Sequence, residues 1–299
     1  MRTIVRLTFA VAVLLAVPGA GFACSMCHCG DAAFTLVGSQ VFVPGAWHAG
    51  LDADRFEKDQ VSEDLLGARE KEEEDRVTLS LTRTVRKRLT LIARLPFSHR
   101  TITTPEESTS LSGLSDPEVL AHYRVRSFGP GSWISISLGL RTGWGENTRE
   151  RDGERAEEHL QPGTGAAGVE SGLSFARVVG TGDNASLFGS FSGRVNARND
   201  AGYRYGRAML ANLGYERKLG SRLNAIAEAN FRMAAKDEPQ VGESDLNTGG
   251  TVLYASPHLL LKIQDTLFLR LGVQVPLVKH LYGDQDEKVN VLSGLTVRF

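Results

Sequence analysis

"RVTLSLTRTV", residues 76–85, decides the fold. Val77, Leu79, Leu81 and Val85 share one parity, broken only by Arg83. Thr78, Ser80, Thr82 and Thr84 share the other. Alternation at a period of two puts one apolar and one polar face on an extended strand, because successive side chains of a strand point to opposite sides. The pattern recurs along the chain. "LTLIARLPF" at 89–97 sets Leu89, Leu91, Ala93, Leu95 and Phe97 against Thr90, Ile92, Arg94 and Pro96. "SWISISLGLRT" at 132–142, "RLNAIAEANFRM" at 222–233 and "TLFLRLGVQV" at 266–275 alternate in the same way.

Alternation alone fits a soluble sandwich as well as a membrane barrel, and the spacing separates them. Strand-like segments fall near 47–57, 75–87, 89–101, 116–126, 132–144, 165–178, 185–197, 203–217, 222–234, 247–262, 267–276 and 289–299. Most are ten or more residues long, against ~5–6 for an ordinary globular strand. That length suits tilted strands crossing a bilayer. Connector lengths alternate too. "RKR", "FGPGS", "GTGDN", "LGSR" and "QDT" are tight turns, and 58–74, 102–115, 145–164, 235–246 and 277–288 are long polar links. Short turns at one end and long loops at the other are the rhythm of an outer-membrane barrel. The chain is therefore read as all-β, a transmembrane antiparallel barrel of about twelve strands over 47–299. An even count returns both termini to the short-turn, periplasmic side.

If the apolar parity meets lipid, the other parity lines the lumen. It carries Arg76, Arg94, Arg100, Glu118, His122, Arg124, Arg126, Arg141, Glu170, Glu228, Arg232 and Arg270. Two readings stand. The charges pair and fill the interior, or the arginines line a narrow path that favours anions. The acidic run "EDLLGAREKEEED" at 63–75 reads as a solvated loop at the cell surface.

Upstream, "MRTIVRLTFAVAVLLAVPGAGFA" has Arg2 and Arg6, an apolar stretch from Leu7 to Val17, and small residues before a cut after Ala23. This is the pattern of a secretory signal peptide over 1–23. Segment 24–46 then forms a short Cys-rich periplasmic leader. No later stretch reaches ~18 consecutive apolar residues, so no helical span is expected. A formal net charge of −1 argues against a nucleic-acid-binding surface.

All three cysteines lie in "ACSMCHCGD" at 23–31. Cys24, Cys27, His28 and Cys29 could hold a soft ion, Cu(I) or Zn. Cys24-Ser25-Met26-Cys27-His28 also spells the pattern for covalent attachment of haem c. An oxidising compartment permits a disulfide with one thiol spare. The three readings remain open, as does lipidation of Cys24.

No enzyme constellation stands out. "GTGAAG" at 163–168 lacks the helix a phosphate loop needs. His99 and His159 are the histidines placed at a rim, where a barrel hydrolase would carry its base.

Three stretches carry a family resemblance. "LSGLSDPEVLAHYRV" at 111–125 resembles the Gly-Leu-(Gly/Ser)-Asp strand signature of the phenol meta-pathway degradation outer-membrane proteins. "LQPGTGAAGVESGLSFAR" at 160–177 resembles their Gly-Thr-Gly segment. "QVPLVKHLYG" at 274–283 resembles their Val-Pro-Leu strand end. The opening Cys-x-x-Cys-x-Cys-Gly-Asp run resembles a subset of these barrels. The resemblance implies an outer-membrane transporter that passes small, often hydrophobic solutes. The terminal strand "VNVLSGLTVRF" ends on Phe299 and resembles the signal read by the barrel-assembly machinery. The expected partners are therefore that machinery, outer-membrane lipid and a small solute.

Overall fold

A computed structural model describes residues 46–61, 69–86, 88–180 and 184–299. The Cys-rich leader and the signal segment lie outside the described residues.

Among the described residues sixteen strands follow in chain order, all antiparallel to their neighbours. They are β1 (Trp47–Val61), β2 (Arg69–Arg86), β3 (Leu89–Thr103), β4 (Ser108–Leu114), β5 (Glu118–Gly129), β6 (Ser132–Arg141), β7 (Glu150–Arg151) and β8 (Glu154–Arg155). Then come β9 (Gly168–Val179), β10 (Ala185–Asn196), β11 (Ala208–Lys218), β12 (Leu223–Ala234), β13 (Gly250–Gln264), β14 (Leu267–Leu281), β15 (Gln285–Glu287) and β16 (Asn290–Arg298). Twelve of them pair in sequence order and close, with β16 returning to β1. The seam is sealed at the chain's end. Trp47 N–H donates to the Phe299 carbonyl at 2.8 Å, and Phe299 N–H donates to Trp47 at 2.9 Å. Closure leaves no unpaired edge, the condition for a sheet to stand in lipid. The other four strands decorate the long-loop end: β4 on β3, β15 on β1, and the small hairpin β7–β8. That hairpin turns on Asp152 and Gly153, both at positive φ (53° and 85°). This is the backbone a two-residue primed turn demands.

The twelve barrel strands overlap the twelve expected segments, though β1 and β14 run on into the long links and β11 starts only at Ala208, and the apolar parity faces out. On β2, Val77, Leu79, Leu81 and Val85 are exposed while Thr78 and Thr84 are buried. On β6, Ile134, Ile136, Leu138 and Leu140 are exposed while Ser135, Ser137 and Arg141 point in. Exposed Tyr123, Phe128, Tyr215 and Phe299 gather toward the short turns, and Phe97 and Phe231 lie farther along the outer face. A belt of this kind with aromatic edges suits lipid.

The acidic run differs from expectation. Residues 69–75 are strand, not loop, and β1 runs on to Val61 opposite Arg69. A membrane span needs about 9–11 residues. The outward apolar residues of β2 occupy only 77–85, so its first half, at the long-loop end, stands clear of the belt. There the outward face carries Arg55, Lys71, Glu73 and Asp75, and the inward face carries Glu70, Glu72 and Glu74, all buried. Alternation of charge with charge hid this strand, since a charge run without apolar partners reads as a solvated loop.

Candidate functional site: the barrel interior

The interior has three levels. Toward the short turns, Trp133, Phe188 and Ile226 form an apolar cluster with Ile92 and Leu260. Phe188 needs space that its neighbour provides. A Cβ on Gly214 would lie 2.2 Å from the Phe188 ring, so glycine opposite makes room for an inward aromatic. Arg124 lies half-buried at this level, its guanidinium 5.9 Å over Trp133. Arg126, expected inside, is outside. A register irregularity between Arg124 and Arg126 turns the parity, and Arg126 sits over Phe128 at 5.2 Å. One extra residue in a strand flips the faces beyond it.

The middle level is charged. Arg94, Glu118, Arg141 and Gly168 are cross-strand neighbours on β3, β5, β6 and β9. Arg94 Nη1 reaches Glu118 Oε2 at 3.1 Å. Arg194 pairs with Glu170 at 2.7 Å and approaches Glu118 at 3.6 Å. Arg141 donates through Nη2 to Asn196 Oδ1 at 2.6 Å. Arg76 stacks 4.5 Å over Phe56. Elsewhere around the wall, Arg270 pairs with Asp52 at 3.0 Å, and Arg232 pairs with Glu287 beneath the Tyr254 ring. Glu228 accepts from Asn230 at 3.1 Å and lies 3.9 Å from His258. His122 is buried opposite Thr90 and Ser137.

The third level is the mouth, where long loops fold inward and knit together. Asp116 is the knot. It accepts Gly145 N–H at 3.0 Å, Thr164 N–H at 2.8 Å and Thr164 Oγ at 2.6 Å. Gly145 lies so close that a Cβ would sit 2.7 Å from Asp116 and 2.8 Å from Gly163 Cα. The "GLSD" and "GTG" stretches, apart in sequence, are thus two halves of one buried contact. A second lock joins three loops through His159. Its Nε2 meets Tyr203 Oη at 3.2 Å and Asp245 at 3.7 Å, and Tyr203 O–H donates to Asp237 at 2.9 Å. Arg100 Nη1 donates to the His159 carbonyl at 3.2 Å. Burial opposes charge on His159, but Asp245, with Glu72 and Asp237 behind it, overrides burial and pushes its pKa up to about 10. His159 joins the three loops as a clasp. His99 Nδ1 does meet Ser112 Oγ at 2.7 Å on the outer rim. The cross-strand Asp75, however, is held by Arg55 at 3.1 Å, and no His99 ion pair forms among the described residues.

Sequence reasoning missed Asp52, Arg194 and Glu287, the partners that neutralise the wall, and it missed Tyr203. For Asp52 the signal was its place on the polar parity of β1. For Glu287, on a three-residue strand, there was none. Cys24, Cys27, His28 and Cys29 lie outside the described residues. Among the described residues no cluster of metal-ligating side chains occurs.

No family model matches the chain. No curated protein matches it either. Solved structures do. A COG4313 outer membrane channel from Pseudomonas putida F1 superposes with a TM-score of 0.66 at 9% identity, over 87% of this chain and 97% of that one. The translocator domain of the autotransporter NalP from Neisseria meningitidis gives 0.52 at 11% identity, over 89% and 92%. The β domain of the Bordetella autotransporter BrkA gives 0.50 at 14% identity, over 86% and 100%. The likeness is one of fold: this is a closed antiparallel barrel of the outer-membrane kind.

Proposed function

We propose that the chain is an outer-membrane channel for passive passage of a small solute. Its short turns and N terminus would face the periplasm, and its long loops the exterior. The observation that carries the reading is the pairing of an apolar outer belt with an interior that is charged through its middle level and at its mouth. A barrel meant only as a scaffold can be filled with apolar side chains. One that passes polar solutes needs polar groups to replace their hydration. The outer membrane channel of Pseudomonas putida, which shares the fold, supports the same reading. The three motifs support a place beside the phenol meta-pathway degradation outer-membrane proteins. The passage is narrow, because paired charges and the Trp133–Phe188 cluster occupy the interior. The test is liposome swelling and single-channel conductance of refolded protein. Small conductance with entry of small solutes is expected, and an impermeable bilayer would leave a sealed structural barrel.

The leader is proposed as a separate metal-holding element using Cys24, Cys27, His28 and Cys29. It rests on three thiols within six positions, a soft-donor set that selects Cu(I) or Zn. Elemental analysis beside a haem absorbance scan tests it. Covalent haem, or a disulfide with no metal in protein taken from cells, overturns it.

A further inference from the structure

The middle level is not balanced. Arg94, Arg141 and Arg194 share two carboxylates, Glu118 and Glu170. Arg94 and Arg194 take both, as described above, and no carboxylate oxygen lies within 4.0 Å of Arg141 among the described residues. Arg141 is 5% exposed, yet its Nε and Nη1 have no hydrogen-bond partner. A buried guanidinium carrying idle donors is costly. Arg141 lines a small cavity together with Glu118, Glu170, Arg194, Gly139, Gly168 and three aliphatic residues. Gly168 keeps that space open, since a Cβ there would press to 3.4 Å of Arg141 Nε and 3.0 Å of Asn196 Oδ1.

We propose that Arg141 is the floor of a binding site for a small monovalent anion of halide size. The cavity admits nothing larger without side-chain movement. Arg194 supplies a second positive wall, and the anion restores the charge that Arg141 leaves uncompensated. Glu170 opposes it: its Oε1 is also without a partner. That carboxylate keeps the site weak, as a permeation site must be if ions are to leave it. This deepens the channel reading and rests on it for its purpose, though not for its chemistry.

The experiment is chlorine NMR linewidth on the full chain in detergent, titrated with chloride. Wild type is expected to show excess broadening that bromide competes away. Arg141→Gln should lose that broadening, and Arg141→Lys should keep part of it. Glu170→Gln, nearly isosteric, should increase it, which gives an opposite sign should Arg141→Gln fail to fold. Equal linewidths for wild type and Arg141→Gln, or no gain in Glu170→Gln, would mean the cavity holds only water and would overturn the proposal. Conductance separates the two readings. A barrel that conducts without this broadening keeps the channel and loses the site. One that broadens the line without conducting keeps the site and loses the channel.

Discussion

The mouth and the middle of this barrel are built from the same residue types and are satisfied in opposite ways. At the mouth, the two carboxylates that tie the loops together, Asp116 and Asp237, are saturated. Asp116 receives three donors, and Asp237 receives the Gly206 N–H at 2.7 Å as well as Tyr203. In the middle, guanidiniums outnumber acceptors, and Arg141 keeps donors idle. A saturated polar cluster fixes a structure, whereas one with spare donors awaits a ligand. The mouth is therefore a lock and the middle a site.

The largest expected effect comes from breaking the lock at its knot. Asp116→Ala removes an acceptor of three bonds and strands Gly145 N–H and Thr164 N–H in a buried place. Bonds to a charged group contribute ~1.5–3 kcal/mol each, so loss of several kcal/mol of loop docking is expected. The barrel should remain closed, because Asp116 precedes β5 and takes no part in the ladder. Trypsin should then cut at Arg149, Arg151 or Arg155, and conductance should rise. A loop that stays protected in Asp116→Ala would break the contrast between lock and site.

Next comes the His159 clasp, with a definite pH sign. Its folded pKa of about 10 stands above the ordinary value of 6.5. Its contribution is therefore complete below about pH 6.5 and is lost as pH rises through about 10. The groups facing it are Asp245, Glu72, Asp237, Glu70, Glu157, Lys58 and the Tyr203 phenol. Loop protection and channel quietness should persist through neutral pH and fail above about pH 10. His159→Gln should remove the step and loosen the loops below about pH 10, where the wild-type clasp is charged, by roughly the 3–5 kcal/mol that follows loss of one partner from a buried pair. An unchanged step in His159→Gln would assign it to Tyr203 instead.

Arg94→Gln probes how the middle shares charge. Glu118 would lose a partner at 3.1 Å and keep Arg194 at 3.6 Å. The shared partner cushions the loss, so a cost of about 1–3 kcal/mol is expected in urea unfolding followed by heat-modifiable gel mobility. A larger cost would show that Arg194 does not compensate, and the middle would then be a set of separate pairs.

How much of this was legible before the fold was seen follows from which residues alternate against apolar ones. Leu79 and Thr78, or Leu138 and Ser137, declare both faces at once, so strand number and the inward polar parity could be read directly. The reading failed where that contrast vanished. Glu70 to Asp75 alternate charge with charge, and the bulge before Arg126 shifts the parity without any glycine or proline to mark it. The charged level was legible as a row of arginines but not as a site. Which guanidinium is left over depends on Arg194 and Glu170 meeting across β9 and β10, and only register decides that. The mouth was legible only as two motifs whose contact no spacing predicts.

The smallest effect is expected on the outside of the same strands. Arg55 bridges Asp75 at 3.1 Å and also pairs with Glu73, on the outward face above the apolar belt. Arg55 and Asp75 are each 49% exposed at the side chain. Water solvates both partners there, and holding two long side chains in one geometry costs entropy that offsets the attraction. Such pairs contribute about 0–1 kcal/mol. Lys71 also stays beside Glu73 at 3.1 Å, so the carboxylate keeps a cation when Arg55 is removed. Arg55→Gln should therefore shift the urea midpoint little, and raising the salt concentration should shrink the difference further. Asp116 and Arg55 both serve the long-loop end, and burial alone separates their expected costs. If Arg55→Gln cost as much as Asp116→Ala, the outward ladder would be helping to hold the mouth shut. The lock would then extend to the outer surface of β1 and β2.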